Sequence, residues 1–297
     1  MAYFEESFFE GEEREGFYVE PMMKRAWAAQ IEVLEVVDAI CKKHNITYYA
    51  DWGTLLGAVR HKGFVPWDDD MDIVMKREEY QRFLRIANAE LPEGMKLNSI
   101  YTDKNYNELS TRVVNSVMIN YSEEFLKRWH GCPYVVGIDI FPLDSLPLDK
   151  EDEKMQRQLV RIGLACLKAL YGKDDSAEKL LQEMESLCGV SLKRNEGLKN
   201  QLLVLIDGIR QMFNDEGGDY SQMTYRLFHP DFCVSRKAYD EVCYLPFENI
   251  KIPVPAGYDE VLRAMYGDYL IPVRGTLHDY PFYKKQQEIV DKKLNQK

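Results

Sequence analysis

The sequence predicts an α/β chain of the α+β kind: a mixed β-sheet flanked by helices, with a helical insertion or subdomain. Three observations carry this expectation. Short β-branched and aromatic runs alternate with helix-period stretches between residues 22 and 148. Helical patterning then runs alone from Lys150 to about Gln211. Strand character returns at residues 247–254, FENIKIPV.

Taken in order, residues 1–16 hold six glutamates and little periodicity. They read as a mobile acidic lead-in, with Phe4, Phe8 and Phe9 able to dock locally. A helix is expected over 22–44, because Met23, Trp27, Ile31, Leu34, Val37 and Cys41 recur at three- and four-residue spacing. Asn45 suits a left-handed stop. Residues 46–50, ITYYA, read as a short strand. Gly53-Thr54 turns the chain into a short helix, 55–60, which His61-Lys62-Gly63 ends, and Pro66 forces an extended approach to a second strand at 71–75. A helix follows at 77–90 with Tyr80, Phe83, Leu84 and Ala87 inward. Strands are expected at 95–101, 110–115 and 117–121, the last two as a hairpin turning near Asn115-Ser116. Another strand, 134–141, is closed by Pro142. Helices are expected at 155–171, 177–187 and 198–212, with Gly217-Gly218 ending the helical stretch. The strand at 247–254, a short helix at 258–266 and a polar helix from Phe282 complete the chain. The implied organisation is a lead-in at 1–16, a catalytic core at 17–148, a helical subdomain at 149–235 and a segment at 236–297 that returns to the core.

The 297 residues can bury a sizeable core. A net charge of −11 argues against a general nucleic-acid binder, whose affinity rests on phosphate neutralisation by Lys and Arg. It is compatible with anionic nucleotides when metal ions stand between. No apolar run approaches a membrane span, and the N-terminus lacks the pattern of a secretory signal. Six cysteines, none in a C-x-x-C pair, read as buried free thiols in a reducing, cytoplasmic setting.

The chemistry concentrates in residues 51–73, DWGTLLGAVRHKGFVPWDDDMDI, where four aspartates fall within five positions. Asp70 and Asp72 at i and i+2 of a strand project from one face, while Met71 and Ile73 face the core. Two adjacent carboxylates repel unless a cation lies between them, and oxygen ligands suit Mg²⁺ or Mn²⁺. The bland alternative is a solvated acidic turn. Two features favour the metal. Gly53-Thr54 at a strand-to-helix turn offers free N–H groups to a phosphate, and the Thr54 hydroxyl can add a donor. Asp139, alone in the apolar run Ile138-Asp139-Ile140, needs a partner or a metal. With Asp70 and Asp72 it completes a three-carboxylate site able to hold two ions.

The order Gly-Thr, Asp-x-Asp, then a single Asp in a later strand resembles the nucleotidyltransferase superfamily of the polymerase-β type. GTLLGAVRHKGFVPWDDDMDI is similar to the signature of the LicD family, itself related to fukutin-type proteins. DIFPLD at 139–144 and YGDY at 266–269 resemble later blocks of that family. The resemblance implies a nucleotidyltransferase-type fold and a phosphotransferase that moves phosphocholine from CDP-choline onto a glycan such as teichoic acid or lipopolysaccharide, releasing CMP. Relatives use other CDP-alcohols. Nucleotidyl transfer from an NTP, releasing pyrophosphate, is the alternative. It implies two Mg²⁺ (or Mn²⁺) ions held by Asp70, Asp72 and Asp139, with Asp139 near the acceptor hydroxyl and able to act as general base. Gly53, Thr54, Arg60 and Arg112 are candidates for the donor phosphates, with His61 and Lys62 behind Arg60. A choline ammonium would want an aromatic cage, for which Trp67, Trp52 and Tyr49 are the candidates and Tyr48 and Trp129 further walls. Asp68, Asp69, Tyr266, Asp268, Tyr269 and His278 have no assigned role.

Overall fold

A computed structural model describes residues 3–172, 175–274 and 280–294. His278 lies outside the described residues. A 3-10 turn at Glu6–Phe9 and a hairpin of β1 (Glu12–Arg14) and β2 (Phe17–Val19) fold the acidic lead-in back onto the molecule. Phe4 and Phe9 pack around the His130 ring, and the Lys24 ammonium lies 4.3 Å above Phe8. The long helix α1 (Pro21–Lys43) starts on a proline, as a first helical turn permits, and stops at Asn45 with φ +52°. Then come β3 (Tyr49–Ala50), α2 (Trp52–Arg60), β4 (Asp72–Lys76), α3 (Arg77–Glu90), β5 (Lys96–Asn98), β6 (Thr111–Val114), α4 (Glu123–Arg128) and β7 (Gly137–Ser145).

These strands form one mixed sheet in the order β3-β4-β7-β6-β5. β4 and β7 run parallel and the other pairs antiparallel. The parallel pair is the centre of the sheet and is mostly apolar, with Asp72, Asp139 and Asp144 among its exceptions. Trp27 of α1 is fully buried and stacks on Phe64 at 4.6 Å.

Two expectations from the sequence are corrected here. Residues 117–121 are not a strand. After β6 the chain leaves the sheet and enters α4, whose N-cap Ser122 accepts from the Phe125 N–H. Pro142 does not close β7, which runs on to Ser145. β6 pairs β7 only through Ile140, so Pro142 lies where one edge of the strand is no longer in a ladder.

Beyond β7, α5 (Lys150–Gly172), α6 (Ala177–Cys188) and α7 (Leu198–Arg210) bury a core of their own around Val160, Met184, Leu202 and Ile206. This helical unit is tied to the sheet by a buried charge cluster. The Arg77 guanidinium meets both Asp144 on β7 and Asp207 on α7, at 2.6 Å and 2.9 Å. β8 (Tyr220–Ser221) pairs with the end of β7, so the chain rejoins the sheet before residue 236. After α8 (Met223–Arg226), the predicted strand at 247–254 is a hairpin: β9 (Val242–Phe247) and β10 (Ile250–Pro255) turn through Glu248, at φ +50°. The apolar run hides this turn because Glu248-Asn249 lacks glycine or proline. Helices α9 (Tyr258–Tyr266) and α10 (Tyr283–Leu294) end the described chain.

Candidate metal centre

Asp70, Asp72 and Asp139 converge. Each offers a carboxylate oxygen, and these atoms lie within 4.8 Å of one another. The convergence is built by backbone pairing. Asp72 and Asp139 are direct register partners across the parallel β4–β7 pair, and the Asp139 N–H donates to the Met71 carbonyl at 2.9 Å. Asp70 reaches the same place from the extended segment just before β4.

The neighbouring helix α2 secures this segment. The Asp72 N–H donates to the Thr54 hydroxyl at 2.8 Å, so buried Thr54 pins the strand that carries the carboxylates. Asp68 lies over the start of α2: a Cβ built on Gly53 would stand 1.8 Å from its Oδ2. The glycine is therefore needed for the carboxylate to reach the helix N-terminus, a favourable place for negative charge. The loop itself is held by the Trp27 indole N–H on the Asp68 carbonyl and by Gln30 on the Asp69 carbonyl, at 3.1 and 2.7 Å. Gly53→Ala is expected to cost about 1–3 kcal/mol in a urea melt. Most of that cost should return in the Gly53→Ala, Asp68→Ala double variant, and a purely additive result would refute the contact as its cause.

Burial and mutual repulsion set the electrostatics of these carboxylates. Burial pushes the Asp72 carboxyl well above the usual range, and Asp70, Asp139, Asp68 and Asp51 add repulsion. Asp139 is pushed up to about 6 by burial, with Arg112 opposing and Asp70 and Glu108 adding to the rise. Burial, then Asp70, raise Asp68 as well. The half-buried Asp139 Oδ1 has no hydrogen-bond partner. Hard oxygen donors, mutual repulsion and an orphaned carboxylate oxygen all fit a divalent cation such as Mg²⁺ or Mn²⁺.

The remaining candidates separate. Arg112 is Asp139's register partner on β6, with its Nε 3.7 Å from Oδ1, so it stands at the site. Arg60 is at the other end of α2, where it donates to the Tyr269 carbonyl at 2.7 Å and to His61. With Arg14, Glu15, His61, Lys62 and Glu248 it lines a cleft of about 430 Å³. Trp67 packs edge-on to Phe17 beneath the Arg274 guanidinium. Tyr49 lies in the core, with its hydroxyl on the Tyr239 carbonyl. Tyr48 donates to Asp38, and buried Trp129 lies under Arg128. Asp69 accepts from the Phe282 N–H at 2.5 Å, and the Tyr269 hydroxyl donates to Asp259.

Trp52 is different. It adopts φ +43°, a strained conformation for a tryptophan, and its indole N–H donates to Gln222 while its ring meets Tyr225 edge-on at 4.7 Å. Gln222 in turn donates to Asp51 at 2.5 Å. Fully buried Asp51 is pushed up to about 7 by burial, against the Trp52 N–H and Gln222. Asp51 and Gln222 escape sequence reasoning because they are 171 residues apart and Gln222 sits in no motif. Burial, then Asp51, Asp68 and Asp72, push the Tyr266 hydroxyl up.

An Asp-x-Asp entering β4, completed by an Asp on the neighbouring parallel strand, is the arrangement expected of a nucleotidyltransferase-type domain. The family described as LicD/FKTN/FKRP, nucleotidyltransferase domain, matches residues 45–150, which contain all three carboxylates. Over these residues the chain is similar to the LicD family. It is also similar to the lipopolysaccharide cholinephosphotransferase LicD of Haemophilus influenzae, at 28% identity over 258 residues covering 81% of this chain and 88% of that protein. Shorter matches, 39% identical over 72 residues and 44% over 48, reach uncharacterized proteins of Rickettsia typhi and Rickettsia prowazekii. No helix among the described residues is long and apolar enough to cross a membrane.

Proposed function

We propose that this protein is a metal-dependent phosphotransferase. It moves a phospho-alcohol, phosphocholine in the first instance, from a CDP-alcohol to a glycan hydroxyl of a cell-surface polymer, and releases CMP. The carrying observation is the convergence of Asp70, Asp72 and Asp139, in a chain similar over most of its length to a cholinephosphotransferase.

In this reading Asp70, Asp72 and Asp139 hold one or two Mg²⁺ ions. The bound metal supplies charge neutralisation on the donor diphosphate. The acceptor oxygen attacks the phosphorus bearing the alcohol, the bond to the CMP oxygen breaks, and the acceptor proton passes to Asp139 Oδ1. Arg112 suits this role, since its guanidinium favours the ionised form of Asp139 and presents donors to the phosphoryl oxygens. Thr54 and Gly53 hold the carboxylates in place. No covalent enzyme intermediate is needed, because positioning and electrostatics do the work.

The test is CMP release from CDP-choline, CDP-ribitol and CDP-glycerol in Mg²⁺ and in excess EDTA. CMP is expected from one donor, with loss of turnover in EDTA. Pyrophosphate release from an NTP, with no CMP from any of the three donors, would establish nucleotidyl transfer instead.

A further inference from the structure

A cavity of about 500 Å³ opens at the opposite end of β4 from the carboxylates. Lys76, Ser145, Asn214, Tyr220 and Arg236 are among its walls. Lys76 shares a strand face with Asp72, four residues along and so about 13 Å away.

Two cations face one ring in this cavity. The Arg236 guanidinium lies 4.5 Å from the Tyr220 centroid and the Lys76 ammonium 5.7 Å from it. Arg236 spends Nη1 on the Ser145 hydroxyl and the Gly218 carbonyl, at 2.8 and 3.3 Å. Neither cation forms an ion pair among the described residues. Burial pushes the Lys76 ammonium down, and Arg236 opposes its charge while Asp240 favours it. The contrast with Arg77 on the same wall is clear, since two aspartates neutralise that guanidinium. The lining carboxylates, Glu78 and Asp215, are both exposed. Half-buried cations held side by side, with no ion-pair partner among the described residues, suit an anion, as the opposed carboxylates at the other end of β4 suit a cation.

We propose that this cavity binds a phosphate monoester of a sugar or small polyol, its dianion taken by Lys76 and Arg236. An arginine fork and a lysine point charge together match a phosphate's charge and its several acceptor oxygens. Gln81 and Gln211, whose amides bond to each other, add polar lining, and the volume is that of a small-molecule site. The Tyr220 face is already engaged by Arg236, which disfavours a stacked nucleobase.

The experiment is titration calorimetry on the full chain in excess EDTA, with glucose 6-phosphate, inorganic phosphate and glucose as probes. Saturable one-to-one binding of glucose 6-phosphate is expected, weaker binding of phosphate, and none of glucose. Lys76→Gln and Arg236→Gln should each weaken binding by about tenfold or more, and Asp72→Asn should leave it unchanged. Lys76 has no ion-pair partner among the described residues, so Lys76→Gln tests the site even if Arg236→Gln fails to fold. No saturable binding of either phosphate, binding unaffected by Lys76→Gln, or binding lost in Asp72→Asn would each overturn the proposal.

Discussion

Asp72→Asn is expected to reduce CMP release on the order of 10³-fold, while raising the melting temperature of the metal-free protein. Both effects come from one arrangement. Asp72 sits among Asp70, Asp139, Asp68 and Asp51, and repulsion from this crowd raises its carboxyl. Removing its charge relieves the apo site and removes a ligand in the same stroke. Asparagine is nearly isosteric, and the Asp72 backbone bonds to Thr54 and Asp51 do not involve the changed group. Asp139→Asn should behave alike. The check pairs CMP release in Mg²⁺ with thermal melts in EDTA. Turnover above a tenth of wild type, or a fall in melting temperature, would contradict the account.

The second large effect concerns the joint between the helical unit and the sheet. Arg77→Leu is expected to cost about 3–5 kcal/mol, the cost of stranding buried charges. Arg77 donates its Nε and Nη2 to Asp144, at 2.7 and 2.6 Å, and its Nη1 to Asp207. All three side chains are nearly inaccessible. Removing the cation leaves two buried carboxylates with only Arg210, Asn214 and Tyr101 as partners among the described residues. A pH series adds a second readout. Burial pushes Asp207 up, but Arg210, Arg77 and the Tyr101 hydroxyl outweigh it and hold it below its ordinary value of 3.8. A depressed folded value means that the folded state binds fewer protons. The stability it contributes is present above pH 3.8 and is lost as pH falls below that point. Urea melts from pH 6 to pH 3 should show this acid loss in the wild type and a smaller one in Arg77→Leu.

What was legible in the sequence had a local physical signature. Helices α3 and α9 fall on their predicted bounds because each pairs a clear amphipathic face with a strong boundary. The three carboxylates stood out because each contradicts its surroundings, an aspartate in an apolar strand or beside a like charge. The illegible features depend on distant partners. Nothing near Arg77 announces Asp144 and Asp207, and nothing near Asp51 announces Gln222. The sequence offered Thr54 as a phosphate donor, while its bond to the Asp72 N–H depends on how α2 packs on β4. Among the aromatics, composition could not separate Tyr49, locked in the core, from Trp52, held in a strained turn at the acidic site.

The register pairing of Asp72 with Asp139 has a consequence for how such a chain can diversify. The separation of these side chains is dictated by the spacing of adjacent strands, about 4.8 Å, and not by the path between them. The path between β6 and β7, which carries neither Arg77 nor Arg112, is therefore free to vary without moving this pair. It can lengthen, shorten or change its surface while the two carboxylates keep their separation.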